Sequence, residues 1–283
     1  MSEAVLTALP RRSAEPMLLR ALAAAFTVFI VFYILVPIAV TLVMSFNDAA
    51  MIRFPIAEWS FRWYQDFFGS QQWTDALYNS ILIALGTTAI STSAGVMAAW
   101  AFERFDFPFR GPLYLVIMLP LFMPGVVLGL GVAMSVGNLQ FLGFSVYGTK
   151  GLVMLAHALW AMPLVFMLME ATFRTIDHRV VEASYDLGGR PVQTFFEIVL
   201  PMVSTGIISS ALFAFVISLN EFVMALFLTD RDTQTLPVLM WLSLRSAGTP
   251  RLAVASVILA LTVFACLALI MFWYVRQLRK VSR

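Results

Sequence analysis

The sequence predicts an all-α, polytopic membrane protein with six transmembrane helices. Three observations carry that prediction. The chain is 61% hydrophobic and 12% charged, whereas soluble domains are roughly 25% charged, so much of its surface must face something other than water. Six apolar stretches reach the ~20 residues that a bilayer core demands. Arginines gather in alternate connecting segments, which orients the spans.

The stretches are Leu18–Met44, Leu77–Trp100, Pro112–Val136, Gly151–Ala171, Val203–Leu228 and Ala253–Tyr274. Lipid offers no water to the backbone, so each must be helical. The first follows Arg11, Arg12 and Arg20 like a signal peptide. It exceeds the roughly 7–15 apolar residues of a signal and reads as an uncleaved span. Pro37, Pro120, Pro124 and Pro163 are expected to bend their helices, and Gly125, Gly129 and Gly131 to permit close helix contact. The Phe46–Asp75 loop carries Trp59, Phe61, Trp63, Tyr64, Phe67, Phe68 and Trp73. Such aromatics favour the membrane boundary, so an interfacial or re-entrant helix around Ser60–Phe68 is expected. A docking surface for an outside partner is the alternative.

Six crossings put both termini on one side. With cytoplasmic termini, the inner segments hold Arg11, Arg12, Arg20, Arg104, Arg110, Arg174, Arg179, Arg190, Arg276, Arg279, Lys280 and Arg283. The outer loops then hold Arg53, Arg62, Lys150, Arg231, Arg245 and Arg251, a two-to-one bias for this orientation. The organisation is a cytoplasmic tail over 1–17, a transmembrane domain over 18–276 and a second tail over 277–283. A net charge of +2 offers no broad basic face for nucleic acid. Cys266 is the sole cysteine and sits in an apolar run, a packing position; two histidines, His157 and His178, leave little room for a metal site. No catalytic constellation is present, and no H-E-x-x-H motif.

The loop over 172–202 is the longest polar segment on the inner side. Asp177 can cap a helix start. Val180, Ala183, Ser184 and Leu187 recur at helical spacing, making one face apolar or small. Gly188-Gly189 supplies a stop, with positive φ expected at Gly188, and Pro191 suits the first turn of a second helix. The expected shape is helix, sharp turn, helix, with an apolar face that calls for a partner.

Glu182-Ala183-Ser184, Gly188 and Ile198-Val199-Leu200-Pro201 resemble the cytoplasmic E-A-A-x-x-x-G loop of ABC importer permeases. The family spacing to I-x-L-P is kept. Ser184 and Gly189 replace alanines, small for small. Ser45-Phe46-Asn47, Trp63-Tyr64, Leu119-Pro120 with Pro124-Gly125, and Ser218-Leu219-Asn220-Glu221-Phe222 with Leu236-Pro237 are similar to the second permease of the spermidine/putrescine-type branch. The resemblance implies a type I ABC importer permease-like bundle in a bacterial inner membrane. It also implies a coupling helix whose ATPase contacts are Glu182, Ala183, Ser184, Asp186, Leu187, Gly188 and Gly189. The implied solute is a polyamine or related amine, with an opine or amino-acid derivative as the alternative.

No G-x-x-x-x-G-K-[ST] loop occurs, so ATP and its magnesium belong to a separate ATPase dimer. A second permease, similar or identical, and a periplasmic or extracellular solute-binding protein are also implied. Asn220 and Glu221 are the candidate substrate pathway. They lie about 17 residues into the fifth span, roughly 25 Å from its inner end. An intramembrane carboxylate normally faces a cavity or a partner, and a helix–helix bond or a pairing with arginine is the competing role. His157 and Glu170 read as structural, near the outer and inner surfaces. A secondary transporter is the rival class, but no inverted repeat is visible.

Overall fold

The computed structural model describes residues 17–281 apart from positions 53, 138, 142 and 247. The predicted tail up to residue 16, with Arg11 and Arg12, lies outside the described residues, as do Arg53 and Arg283. The first span is α1 (Met17–Met44). The aromatic loop holds α2 (Arg62–Gly69), close to where a short helix is expected. Next comes α3 (Gln71–Arg104), 34 residues long. At 1.5 Å per residue it spans roughly 50 Å, more than the ~30 Å hydrocarbon core, so it extends beyond the lipid core.

The chain continues through α4 (Arg110–Phe122), α5 (Gly125–Val136) and a two-residue-per-strand hairpin of β1 (Gln140–Phe141) and β2 (Phe144–Ser145). After it come α6 (Lys150–Phe173), α7 (His178–Asp186) and α8 (Pro191–Thr194). A π-helical turn, Phe195–Val199, leads into α9 (Leu200–Met202) and α10 (Ser204–Asn220). The last elements are α11 (Val223–Leu228), α12 (Leu236–Ser246) and α13 (Arg251–Val281). Four helices, α1, α3, α6 and α13, are long and apolar enough to cross a bilayer alone; six spans result when two bent pairs, α4 with α5 and Pro191–Met202 with α10, are each counted as one.

Three boundaries differ from expectation. The predicted span Pro112–Val136 is broken, with α4 and α5 meeting at 102°. Pro120 lacks an amide for the helix ladder. Pro124 then drives Met123 out of the helical region, to φ −85° and ψ 135°. The predicted fifth span is also broken: α10 ends at Asn220, and Glu221 is extended, with φ −71° and ψ 123°. No proline or glycine marks that break. The sixth helix runs to Val281, so most of the predicted tail over 277–283 continues α13.

The core is the α3–α6 pair, closed by small residues. A Cβ at Gly95 would lie 2.6 Å from Val165 Cγ1, and one at Gly86 would lie 2.4 Å from Met154 Sδ. Glycine at these points lets the two helices touch. Around the end bearing the α7 loop, Phe102, Phe166, Met169, Phe173 and Val181 form one buried cluster. At the far end, Trp63, Phe67 and Trp73 join Phe215, Leu219 and Leu236. Two of the α2 aromatics, Trp63 and Phe67, are therefore core, while Phe61 and Phe68 remain exposed. Asp66 of α2 pairs with Arg251 of α13, whose guanidinium lies 5.5 Å from the Trp73 ring centroid. By contrast, α1 has no buried residue.

Candidate functional site

Two regions hold the residues singled out from the sequence, and they lie at opposite ends of α10. The first is the α7 loop. Asp177 caps α7, its carboxylate accepting from the Arg179 amide at 3.0 Å. At the other end the chain closes in two bonds. The Gly189 amide donates to the Ser184 carbonyl at 2.9 Å, and the Gly188 amide to that of Tyr185 at 2.9 Å. This is the six-to-one, five-to-two pattern of a Schellman stop. It requires the left-handed conformation at Gly188, whose φ is +86°. Pro191 opens α8, as expected.

The departures from the alanine pattern are coupled here. Ser184 Oγ and Thr194 Oγ1 share a 2.9 Å hydrogen bond that ties α7 to α8. A Cβ at Gly189 would lie 2.6 Å from Ser184 Oγ and 2.8 Å from the Ser184 carbonyl oxygen. Glycine at 189 is therefore more than a small residue in place of another; in this turn an alanine would force a shift.

One side of α7 is anchored and the other is bare. Val181 is buried in the inner cluster. His178 Nε2 lies 3.6 Å from Glu103 Oε1, and the Arg104 guanidinium stands 5.5 Å from the Tyr185 ring centroid. Both partners belong to the last turn of α3. Trp100, on the same helix, packs between Phe173 and Phe195 at 5.2 and 5.5 Å. On the open side, Glu182, Ala183 and Asp186 are exposed, Val180 is 43% exposed and Leu187 is 90% exposed. The expected apolar face is thus presented on a helix seated on α3. Sequence reasoning missed the anchors, because Glu103 and Arg104 lie far upstream of the loop.

The second region is a buried polar cluster. Glu221 is 5% exposed. Its carboxylate folds back onto the next helix: Oε1 accepts from the Met224 amide at 2.9 Å and Oε2 from the Ala225 amide at 3.0 Å. It therefore caps α11, satisfying amides that have no helical partner and meeting the positive end of the helix. His157 of α6, fully buried, places Nε2 3.2 Å from Glu221 Oε2. The two groups are in contact at that distance, although the angle does not make a hydrogen bond. On the other ring nitrogen, Nδ1 is 2.9 Å from Ser218 Oγ. His157, expected in a structural role, is buried inside the bundle and is the partner that Glu221 finds in place of an arginine. The clue was present in depth. His157 is about seven residues, ~10 Å, from the start of α6, and Glu221 ends the antiparallel α10. Glu170 pairs with Arg174 at 2.6 Å, one turn along α6.

Asn220 points elsewhere. It is exposed, its amide donates to the Val216 carbonyl at 2.8 Å, and it lines a cavity of about 490 Å³ with Thr41, Phe222, Met240, Trp241 and Ser256. The Phe222 and Trp241 rings lie 5.5 Å apart in that lining. The two sequence-predicted pathway residues are thus separated in orientation, one facing a cavity and one facing the protein interior.

Residues 91–283 match the family model described as "Binding-protein-dependent transport system inner membrane component". The putrescine transport system permease protein PotI of Escherichia coli K12 is 31% identical over 231 residues, covering 80% of this chain and 82% of the relative. The molybdenum transport system permease protein ModB of the same strain is 28% identical, covering 66% and 90%. A crystal structure of a bacterial ABC transporter involved in the import of the acidic polysaccharide alginate contains a chain of the same fold, with TM-score 0.71, 15% identity, and coverage of 94% and 96%.

Proposed function

Since this chain belongs to the binding-protein-dependent transport system inner membrane components, and is a permease subunit of an ABC importer rather than an enzyme, we propose that α7 is its coupling helix and that its solute is a polyamine or related amine. The carrying observation is the two-sidedness of α7. Val181 and Tyr185 bind it to the end of α3, while Val180, Ala183 and Leu187 are left bare at helical spacing. An apolar face held on a stiff support suits docking into a groove of an ATPase subunit. In this reading Glu182, Ala183, Ser184, Asp186, Leu187, Gly188 and Gly189 meet or shape that contact. A dimer of ATPase subunits binds ATP and magnesium, a second permease completes the pathway, and a solute-binding protein delivers the cargo outside. Closure of the ATPase pair pushes α7, and α7 moves α3 through its anchors, so that the spans swing as rigid bodies.

The amine reading is supported by the likeness to PotI and by the Asn220 cavity. The Phe222 and Trp241 rings there suit a cation, since ammonium groups are attracted to aromatic faces. Among the described residues the same lining has hydroxyls and an amide but no carboxylate, which favours an opine or amino-acid derivative as the second reading. Purifying the solute-binding protein and titrating it with putrescine, spermidine and an opine tests the substrate: binding of the opine alone overturns the amine proposal. Both termini are cytoplasmic in this reading. Reporter fusions at Arg283 and within Phe46–Asp75 should report opposite sides; the same side for both breaks the orientation.

A further inference from the structure

We infer that Glu221 is the joint that makes α5 and α11 a single moving leaf of the permease, and so acts as a positioning residue and not as a contact for the solute. This inference rests on the permease reading given above. It starts from two breaks that the fold brings together. The α10 helix stops at Asn220, and α11 resumes at Val223. The α4 helix stops at Phe122, and α5 resumes at Gly125. A Cβ at Gly125 would lie 3.5 Å from Val223 Cβ and 3.9 Å from Glu221 Oε1. The start of α5 therefore lies against the start of α11 and beside the carboxylate that caps it.

That meeting has an electrostatic reason. The first amides of a helix have no partner within it, and the aligned peptide dipoles make its start positive. Glu221 accepts two amides of α11 directly and stands beside the start of α5. A carboxylate at this depth is unfavourable unless it is partnered. Here the first amides of α11 and His157 supply the partners, and the start of α5 packs against the segment that the carboxylate fixes.

Along their length the half-helices touch. A Cβ at Gly129 would lie 3.0 Å from Met224 Cα and 3.2 Å from the Phe227 ring. Neither half-helix is joined to its long neighbour by continuous helix: Met123 and Glu221 are both extended. Short non-helical joints next to a packed pair are where a hinge absorbs its rotation. The pair moves while the joints flex, and Glu221 keeps the two members in register.

The test uses the complete permease–ATPase complex in membranes with Cys266→Ala as background. The pair Gly125→Cys and Val223→Cys places the two Cβ atoms at a separation that suits a disulfide. Cross-linking by a mild oxidant is followed in the nucleotide-free complex and in the complex trapped with ATP and vanadate. Equal rates in both states are expected, together with ATP hydrolysis after oxidation within about twofold of the reduced sample. Adding Glu221→Ala, which removes both bonds to the α11 amides, should slow cross-linking at least about tenfold. Should Glu221→Ala fail to assemble, Glu221→Gln, which retains one acceptor oxygen, should slow it by a smaller factor. A large fall in cross-linking in either state, loss of hydrolysis on oxidation, or an unchanged rate in the assembled Glu221 variant would each overturn the joint. Absence of a copurifying ATPase in the parent complex would instead break the permease reading and leave the geometry of the joint in place.

Discussion

The α7 loop and the Glu221 junction are both built around a helix terminus, but they solve the problem in opposite ways. The loop ends its helix with a glycine and backbone bonds, all drawn from residues within a few positions of one another. The junction starts its helix with a buried carboxylate that lies against His157 of α6, whose ring is in turn held by Ser218 of α10. A local solution leaves the outer face of the helix free for a partner. A tertiary solution ties the helix into the bundle. The contrast teaches that, in this chain, the helix end proposed to meet the ATPase is closed by local bonds, while the helix start in the interior depends on a residue from another span.

Mutations should separate the two regions by what they damage. The largest effect on stability is expected from His157→Ala. Breaking a buried pair by removing one member costs about 3–5 kcal/mol, and a melt of the solubilised complex should show it; the double change His157→Ala with Glu221→Gln should recover part of the loss. An unchanged melting temperature would remove the pair from the core of the fold. Next comes Gly188→Val. Left-handed backbone costs a residue with Cβ about 1–2 kcal/mol, and no neighbour lies within 4 Å of that position to cause a clash. Solute-stimulated ATP hydrolysis should fall about tenfold while the melt stays unchanged. Gly188→Asn should act mildly, because asparagine tolerates the left-handed region. Equal defects in the Val and Asn variants would mean that positive φ is not the cause.

A smaller effect should follow Arg104→Ala. A cation–π contact is worth roughly 0.5–1 kcal/mol at an exposed site, so coupling should weaken two- to fivefold, measured as hydrolysis per solute delivered. No change would mean that Val181 and Glu103 seat α7 without it. The smallest is Ser184→Ala, which removes the tie to Thr194. A net hydrogen bond at a half-exposed turn, at the low end of about 0.5 kcal/mol, should give about a twofold change in the same assay. A tenfold change would make the α7–α8 angle a major determinant of coupling.

Legibility in the sequence followed the range of the forces. Asp177, Gly188 and Pro191 each act through their own backbone, and each could be read from one short window. The six apolar stretches could be read for the same reason, since lipid demands a helix from every one of them. The break at Pro124 was half visible: proline announced a bend, but its 102° size depends on what α5 packs against. The break at Glu221 was invisible, because no proline or glycine stands there and its cause is a capping carboxylate. Its histidine partner was hidden by distance along the chain, as Ser218, which holds the same ring, is 61 residues from His157.

The positive φ of Gly188 also sets which genetic accidents the loop can survive. Any single-base change in a glycine codon that replaces the residue introduces a Cβ: alanine, valine, serine, cysteine, arginine, tryptophan, aspartate or glutamate. Only aspartate among these is at ease in the left-handed region, and it would add a charge to the bare face beside Leu187. Asparagine, the mildest replacement, lies two base changes away. The stop signal of α7 therefore sits at an isolated point in mutational space, where nearly every first step that replaces the residue strains the turn without touching the six spans.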